Sequence, residues 1–254
     1  MCTLAFYFGV NDDYPLLVAA NRDEHYDRPS AAPQVLLGPL KILAGRDLRV
    51  GGTWLGVNEY GLVVGILNRR LNGIEPTRTN ARSRGLLCMD LLALKSASDG
   101  RDFVAAHDQQ YNPFTVMFAD RGTAFVTYNV GPELITRPLA RGLHVFSSAA
   151  EIDLHSIKAD RAREKFARAL ARPGADHARP ADWIAPLQPV LSDHSLDNGS
   201  EDPGDAICVH RDSSGTVSSS IIAYSLSASR FEMFHCAGPP CQNPFADPLI
   251  LEVR

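Results

Sequence analysis

The start of the chain constrains its fold more than any other feature. It contains two apolar, β-favouring runs that are separated by a turn-forming segment. The runs span residues 1–8 and 16–20, and residues 11–15 between them contain Asn, two Asp and Pro. This composition is typical of a turn, so the sequence predicts an antiparallel hairpin. In such a hairpin the start of the first strand lies beside the end of the second, which places Cys2 next to residues 21–23.

The second predicted strand is followed by four consecutive polar side chains, which are Asn21, Arg22, Asp23 and Glu24. Charged groups at the end of a buried strand lose hydration, which is unfavourable unless they pair or take part in chemistry. Two interpretations stay open. The cluster serves a reaction at Cys2, or it forms ion pairs with Arg28 or Arg46 that hold the hairpin in place.

Four short motifs follow one another in this part of the chain. They are Cys2 directly after Met1, Ala-Ala-Asn-Arg-Asp-Glu at 19–24 with Arg-Pro at 28–29, Ala-Gly-Arg-Asp at 44–47, and Gly-Gly-Thr-Trp-Leu-Gly-Val-Asn at 51–58. With these motifs the chain resembles the NRDE family, which includes the transport and Golgi organisation protein 2 homologues. The resemblance is dense over the first seventy residues and looser beyond them.

The NRDE family is in turn similar to the N-terminal nucleophile hydrolases, in the branch that contains penicillin V acylase and bile salt hydrolase. The resemblance implies an α+β fold with four αββα layers, in which two antiparallel sheets lie between two helical layers.

Length and composition predict a single domain spanning residues 1–254. A chain of 254 residues that is 45% hydrophobic can bury one large core, and nothing in it forces a division. The formal net charge is −4 and no long basic run occurs, which argues against a nucleic-acid partner. The Arg-rich residues 161–172 are interleaved with Asp160 and Glu164, and we interpret them as the solvated face of a helix. The sequence does not indicate an oligomeric state.

No stretch approaches the ~20 apolar residues of a membrane span, and the apolar start lacks the basic residues of a signal peptide. The chain has five cysteines, an odd number that fits a reducing compartment better than a set of disulfides. The sequence therefore predicts a cytoplasmic protein without a transmembrane segment.

Hydrophobic periodicity and turn residues predict the remaining elements. Helices are expected at residues 85–96, 101–109, 158–171 and 182–191. Further strands are expected at residues 41–44, 53–58, 62–68, 114–119, 123–129, 133–137, 143–147, 206–210, 217–224 and 230–236. Loops are expected at residues 69–84 and 172–181, and residues 192–205 are the most disorder-like part of the chain.

Cys2 is the candidate nucleophile. If Met1 is removed, Cys2 carries both a thiol and a free α-amine, whose pKa values in peptides are ~8.5 and ~7.7–8.0. Proton transfer from the thiol to the amine is then feasible at neutral pH, as in nucleophiles that use their own N-terminus as base. The alternative is that Cys2 is an ordinary small residue at the start of a strand.

The resemblance to the acylases implies roles for two further residues. Residues 21–23 match an Asn-x-Asp step, which implies that Asp23 lies by the N-terminal amine and orients it. Residues 58–62 with Asn68 match an Asn-Glu-x-Gly-Leu…Leu-Asn segment, which implies that the Asn68 amide stabilises an oxyanion. An ion-pair role for Asp23 and a turn role for Asn68 are the alternatives.

Two positions depart from the acylase pattern. Ser148 stands where the acylases carry an Asn that donates to the oxyanion, and Val217 stands where they carry a late catalytic Arg. A serine hydroxyl can still donate a hydrogen bond, whereas valine cannot replace a guanidinium. These departures count against a simple transfer of hydrolase activity and favour a binding role on the same fold.

The candidates for substrate binding are Arg22, Asn21, Glu24, His25, Trp54 and Ser148. Arg22 or Glu24 can order Asp23 or meet a charged substrate group. The Gly51-Gly52 pair allows close backbone approach. Trp54 can form a pocket wall, or its ring is a core residue, which is the interpretation we favour.

No metal site and no resident cofactor are expected. The chain contains no His-x-x-x-His or Cys-x-x-Cys step, so it lacks a zinc signature. His235, Cys236 and Cys241 lie around an Ala-Gly-Pro-Pro segment, which we interpret as a surface turn.

Three functional hypotheses remain. The first is an N-terminal cysteine amidohydrolase or acyltransferase acting on a small amide or acyl compound. The second is a non-catalytic haem-binding or haem-trafficking protein on the same fold, with haem as its ligand. The resemblance implies it, because members of the NRDE family are associated with haem mobilisation and with secretory-pathway and lipid homeostasis. The third is a scaffold that has kept the fold and lost the chemistry.

Overall fold

The computed structural model describes residues 2–69, 80–107, 109–130, 133–148, 156–171, 180–196 and 200–254. Its strands are β1 (Thr3–Phe8), β2 (Leu16–His25), β3 (Ser30–Leu36), β4 (Ile42–Asp47), β5 (Leu55–Asn58), β6 (Val63–Asn68), β7 (Phe114–Ala119), β8 (Ala124–Val130), β9 (Glu133–Pro138), β10 (Gly142–Ser147), β11 (Ser214–Ser225), β12 (Arg230–Cys236) and β13 (Leu249–Glu252). Its α-helices are α1 (Arg84–Leu92), α2 (Ala97–Ala105), α3 (Ile157–Leu170) and α4 (Pro180–Leu191). Met1 and most of the two predicted loops lie outside the described residues.

Two antiparallel sheets organise the chain. The first has the strand order β10-β1-β2-β11-β12-β13, and the second has the order β3-β4-β5-β6-β7-β8-β9. The predicted opening hairpin is confirmed, because β1 and β2 pair antiparallel with Thr3 opposite Asn21. The polar residues 21–24 do not end the strand, however. Strand β2 continues to His25, and its polar half pairs with β11.

Side chains that alternate along β1 show how the layers form. Leu4 and Phe6 belong to a core between the two sheets, whereas Ala5 and Tyr7 pack in a second core that includes α3 and α4. A third core lies between the second sheet and the helices α1 and α2. The central strands, such as β1 and β7, are covered on both faces, which explains their unbroken apolar sequences. The implied α+β fold with helix, sheet, sheet and helix layers is confirmed.

The structure differs from the predicted strands at three places. Strands β3 and β13 have no counterpart in the prediction, because both lie at sheet edges and are largely exposed. Strand β3 also contains Pro33, which sheets tolerate at an edge. Residues 206–210 do not form the predicted strand. The main-chain N–H of Cys208 instead donates to the carbonyl of Asp193, and only His210 makes a bridge, to Gly215.

The four predicted α-helices are confirmed with shifted ends. The interpretation of residues 161–172 as a solvated face is wrong for Arg161, which is 4% exposed and forms an ion pair of 3.1 Å with Asp193. Arg168 on the same helix is exposed. None of the helices in the described part of the chain has the length and apolarity that crossing a bilayer requires.

Gly52 brings α1 into close contact with the second sheet. A Cβ atom on Gly52 would lie 2.4 Å from the carbonyl carbon of Gly85, which no side chain could tolerate without a shift of the backbone. The N–H of Thr53 donates to the carbonyl of Gly85 at 3.0 Å. The predicted close backbone approach at this glycine pair is therefore confirmed, and it fixes where α1 begins.

Candidate active site

Cys2 lies beside the main chain of Asp23, where the hairpin predicts it. The N–H of Asp23 donates to the Cys2 Sγ atom at 3.3 Å, and Sγ is 3.5 Å from the carbonyl oxygen of Asp23. On the other side, the main-chain N–H of Cys2 donates to Ser148 Oγ at 3.1 Å. The N–H of Ser148 donates in return to the carbonyl of Cys2. Residues from both neighbouring strands thus hold Cys2 in place.

The Cys2 thiol is not acidic in this environment. Burial raises its pKa above the ordinary value, and the nearby Asp23 carboxylate raises it further. The N–H of Asp23 and the ammonium of Lys158 lower the pKa without reversing the shift. The thiol is therefore protonated at neutral pH and needs a base to become a nucleophile.

The Asp23 carboxylate is part of a buried ion-pair cluster. Lys158 Nζ donates to Asp23 Oδ2 at 3.2 Å, and Thr216 Oγ1 donates to Oδ1 at 2.7 Å. The side chains of Lys158 and Asp23 are 0% and 3% exposed. Lys158 Nζ also donates to the carbonyl of Gly204. Buried ion pairs need additional hydrogen bonds to offset lost hydration, and Thr216 and Gly204 provide them here.

Lys158 is not among the predicted site residues, although the sequence contains a signal for it. Helix α3 buries Ala162, Phe166 and Ala169 along one stripe of its surface, and Lys158 lies on this stripe one turn earlier. A lysine on the buried face of a helix rarely stays without a partner of opposite charge. The helical period therefore points to a buried carboxylate facing α3, although it does not name Asp23.

A cavity of about 530 Å³ opens beside Cys2, a volume typical of small-molecule sites. Its wall is formed by the start of α1 and by parts of the strands β2, β3, β4, β5, β6, β11 and β12. Seven of the predicted site residues line it, which are Cys2, Arg22, Asp23, Glu24, His25, Trp54 and Asn68. Val217, at the position of the acylase Arg, lines it as well.

Arg22 forms polar contacts with the second sheet. It is buried, it donates to Ser30 Oγ at 3.2 Å, and it lies 3.9 Å from Glu24 and 4.0 Å from Asp47. Arg28 donates to Asp47 at 2.7 Å. Burial raises the pKa of Asp47, but hydrogen bonds from Arg28 and from main-chain N–H groups outweigh it, so this pKa is lowered. The Arg and Glu of the polar cluster thus form ion pairs, while its Asp lies at Cys2.

Two predicted substrate-binding residues lie outside the cavity wall. Asn21 is fully buried, and its Nδ2 atom donates to the carbonyls of Leu191 and Ile207 at 2.8 and 2.9 Å. It faces the helical layer, because alternate residues of a strand face opposite sides of the sheet. Ser148 is also absent from the wall, and its hydroxyl oxygen accepts from Cys2 instead. In the structure Asn21 thus bonds to main-chain carbonyls on the helical side of the sheet, and Ser148 contacts Cys2.

Three other predicted residues line the cavity from different elements. Asn68 is the last residue of β6, and His25 is the exposed last residue of β2. Trp54 packs against the core between the sheets and against the core under α1, and it also lines the cavity. The core and pocket interpretations of its ring therefore both apply.

His235 is a cavity residue that our sequence analysis did not propose for the site. It lies on β12, and its Nδ1 atom is 3.0 Å from Ser220 Oγ. Burial lowers the pKa of His235 to about 4, so the imidazole is neutral at pH 7.

Acidification is expected to destabilise the protein through His235. An unfolded histidine has a pKa of about 6.5, so between about pH 6.5 and pH 4 the unfolded chain binds a proton that the folded chain does not. The stabilisation from the neutral His235 is complete above the unfolded pKa and decreases by up to about 3 kcal/mol as the pH falls through this window.

Urea unfolding of the wild type and of His235→Gln, measured across this pH window, tests the prediction. The variant is expected to lose most of the pH dependence, and the control His25→Gln, at an exposed position, is expected to keep it. Equal pH profiles for the wild type and His235→Gln would contradict the prediction.

Comparison with solved structures shows the fold. Penicillin V acylase from Agrobacterium tumefaciens matches with a TM-score of 0.54 at 12% identity, covering 91% of this chain and 82% of the acylase. The Caenorhabditis elegans orthologue of N-acylethanolamine-hydrolyzing acid amidase also matches with a TM-score of 0.54 at 12% identity, covering 87% of this chain and 92% of the amidase. These matches confirm the fold that the sequence motifs imply.

Comparison of sequences shows the family. The Transport and Golgi organization 2 homolog of Mus musculus is 34% identical over 134 residues, covering 49% of this chain and 47% of the relative. The corresponding Bos taurus homolog is 32% identical over 166 residues, covering 59% of this chain and 57% of the relative. The chain thus spans about half the length of the curated relatives it matches. The model of the family described as Transport and Golgi organisation 2 matches residues 1–233. The chain therefore belongs to the Transport and Golgi organisation 2 family.

Proposed function

We propose that this protein is an N-terminal cysteine amidohydrolase that acts on a small amide or acyl compound. The observation that carries the proposal is the position of the Cys2 thiol, which borders a cavity of about 530 Å³ and contacts the main chain of Asp23. The proposal requires cleavage of the chain before Cys2, because the thiol needs a base and the free α-amine of Cys2 is the base closest to it.

The reaction begins when the Cys2 thiol gives its proton to the α-amine of the same residue, and Sγ attacks the carbonyl carbon of the substrate. The side-chain amide of Asn68 stabilises the oxyanion that forms. The protonated amine then gives its proton to the leaving nitrogen as the C–N bond breaks, which leaves a thioester on Cys2. Water attacks the thioester with the amine again as base, which releases the acid and restores the thiol.

Two residues are proposed to position the amine. Ser148 Oγ lies 3.1 Å from the Cys2 nitrogen and can accept a hydrogen bond from it. The Asp23 carboxylate, whose charge acts on the Cys2 thiol, favours the protonated amine in the same way. Lys158 forms an ion pair with this carboxylate, so its ammonium supplies a positive charge at the site. Val217, which stands at the position of the acylase Arg, supplies none.

The decisive experiment combines mass spectrometry with an activity assay. The intact mass of untagged protein, purified from cells with normal methionine processing, is expected to lack Met1. Release of free amine from a panel of acyl amides that includes penicillin V and an N-acylethanolamine is expected for the wild type. Cys2→Ala is expected to lose at least about a thousandfold of this activity. Cys88→Ala, at a buried cysteine in a different core, is the matched control and is expected to keep it.

A mass that retains Met1 would rule out the free amine as base, and equal activity of the wild type and Cys2→Ala would rule out Cys2 as nucleophile. Complete inactivity of processed wild-type protein on the whole panel would count against the hydrolase proposal and in favour of a binding role.

Haem binding on the same fold is the second candidate function. The observation that favours it is the neutral His235 imidazole in the cavity wall, because histidine is a common axial ligand of haem iron. Arg22 and Arg28 in the same wall offer charges for the haem propionates. Titration with micromolar haem is expected to shift the Soret band if this function holds, and His235→Ala is expected to abolish the shift. Absence of a shift in the wild type would exclude it.

We further propose that residues 1–254 form one domain and that the protein is cytoplasmic. Strands from both ends of the chain share the first sheet, which supports one domain. None of the five cysteines is in a disulfide, which supports a reducing compartment.

A further inference from the structure

A cluster of two cysteines and two histidines lies at the side of the first sheet, apart from the cavity. Its members are Cys208, His210, Cys241 and His194. The Sγ atoms of Cys208 and Cys241 are 3.7 Å apart. His210 Nε2 is 3.6 Å from the Cys208 Sγ atom and 3.2 Å from that of Cys241. A ring nitrogen of His194 lies within 4.8 Å of the ligating atoms of His210 and Cys241.

The three separations among the ligand atoms of Cys208, His210 and Cys241 are close to three edges of a tetrahedral zinc site. Zinc binds thiolate sulfur at about 2.3 Å and imidazole nitrogen at about 2.0–2.1 Å, so tetrahedral angles place two sulfurs about 3.8 Å apart and a sulfur and a nitrogen about 3.6 Å apart. The triangle of 3.7, 3.6 and 3.2 Å is close to these values. The same sulfur separation is far longer than the about 2.05 Å of a disulfide bond.

Main-chain hydrogen bonds hold the segments that carry the ligands. Cys208 is fully buried, and its N–H donates to the carbonyl of Asp193, the residue before His194. His210 pairs with Gly215 at the start of β11. The carbonyl of Pro240, next to Cys241, accepts a hydrogen bond from Ser192 Oγ at 3.0 Å. The ligands therefore come from three segments of the chain that the fold has already brought together.

We propose that Cys208, His210, Cys241 and His194 form a structural Zn²⁺ site with two sulfur and two nitrogen ligands. Thiolate and imidazole ligands in tetrahedral geometry favour zinc over magnesium or calcium, which prefer oxygen. Binding replaces the two thiol protons with the metal and releases them to solvent. The four protein ligands complete the coordination shell of the zinc ion, which leaves no open position for a substrate or a catalytic water.

The proposed zinc site lies next to the residues that support Asp23. Val209, between two of the ligands, exchanges hydrogen bonds of 2.8 Å with Thr216, whose hydroxyl donates to Asp23. Zinc therefore stabilises the segment that holds Thr216 in place. The inference does not depend on the hydrolase proposal, because the ligands and their geometry are separate from Cys2.

The sequence predicts no metal site, because the ligands do not follow a compact spacing. Only Cys208 and His210 are close in the chain, as a Cys-x-His step. The other two ligands lie 14 residues before Cys208 and 33 residues after it, and only the fold brings them to the same place.

The test uses untagged full-length protein purified without chelators. Elemental analysis is expected to find about one zinc ion per chain, in line with a single four-ligand site. Cys208→Ala and Cys241→Ala are expected to lose at least about nine-tenths of it, since each removes a thiolate ligand. Cys236→Ala, at a buried cysteine of the same sheet whose thiol donates to the carbonyls of Gly238 and Asn243, is the matched control and is expected to keep its zinc.

Three measurements keep the proposal testable if the buried Cys208→Ala variant does not fold. His194→Ala removes an exposed ligand and is expected to fold and to release zinc faster to a chelator than the wild type. Wild-type protein stripped of zinc and loaded with Co²⁺ is expected to show thiolate-to-cobalt charge-transfer bands and the intense visible bands of tetrahedral cobalt. Removal of zinc is expected to lower the thermal unfolding midpoint.

Three results would overturn the proposal. The first is protein without zinc that also fails to bind added Zn²⁺ or Co²⁺ under reducing conditions. The second is zinc that Cys241→Ala retains at the wild-type level. The third is peptide mapping under non-reducing conditions that finds a Cys208–Cys241 disulfide in freshly purified, metal-free protein, which would make the cysteine pair a redox site instead.

Discussion

Replacing Lys158 with methionine is expected to lower the free energy of unfolding by about 3–5 kcal/mol, because it leaves the Asp23 carboxylate buried without its cation. Methionine has a similar length and packs well in apolar surroundings, so loss of volume contributes little. The carbonyl of Gly204 loses a hydrogen bond as well. Urea unfolding followed by circular dichroism measures the effect.

The same substitution is expected to change the reactivity of Cys2. The pH profile of its alkylation rate is expected to shift to higher pH, since Lys158 lowers the pKa of the thiol.

A double mutant separates the ion pair from other effects at Lys158. Lys158→Met combined with Asp23→Asn removes both charges, and its cost is expected to be at least about 1–2 kcal/mol smaller than the sum of the two single substitutions. Arg168→Met on the same helix is the control, because its pair with Glu164 is exposed and worth at most about 1 kcal/mol. Additive single effects, or a Lys158→Met variant as stable as the control, would show that the ion pair does not stabilise the protein.

The parts of the site that could be predicted from the sequence have local determinants. The contact between Cys2 and Asp23 follows from two apolar runs, one turn and the fixed geometry of an antiparallel hairpin. The close approach at Gly52 follows from a glycine pair. The helices follow from their hydrophobic period, and the layers follow from the family resemblance.

The parts that could not be predicted depend on contacts between distant segments. Lys158 and Asp23 are 135 residues apart, and the sequence indicates only that Lys158 lies on the buried face of a helix. The side of the sheet that Asn21 faces, and the carbonyl groups that it meets there, are likewise set by the packing of α4. Residues 206–210 have a strand-like composition, but their hydrogen bonds go to separate segments and form no ladder. The N–H of Cys208 donates to Asp193 in a loop, whereas Val209 pairs with Thr216 of β11, so propensity alone gives the wrong answer.

Asn58 shows how a residue of a family motif can serve the fold instead of the chemistry. It is fully buried at the end of β5 and makes four side-chain hydrogen bonds. Its Nδ2 atom donates to the carbonyls of Leu92 and Leu94 at 2.8 and 2.7 Å, and its Oδ1 atom accepts from the N–H groups of Tyr60 and Leu62. Carbonyls at a helix C-terminus lack partners within the helix, so one amide both caps α1 and closes the turn before β6.

Asn58→Ala is therefore expected to lower the free energy of unfolding by about 3–5 kcal/mol, because it leaves several buried main-chain groups without partners. Asn58→Asp keeps the two acceptor bonds of the turn but loses the two donor bonds to α1, and burial opposes the charge of the carboxylate. It is therefore expected to be at least as destabilising as Asn58→Ala at neutral pH. Its stability is expected to recover partly when acid protonates the carboxylate. The control is Asn11→Ala, which also removes two turn bonds but at the surface, and is expected to cost about 1 kcal/mol or less. Urea unfolding of the three variants measures these differences. If Asn58→Ala cost no more than Asn11→Ala, the link between α1 and the second sheet would have to come from apolar packing and from the Thr53–Gly85 hydrogen bond instead.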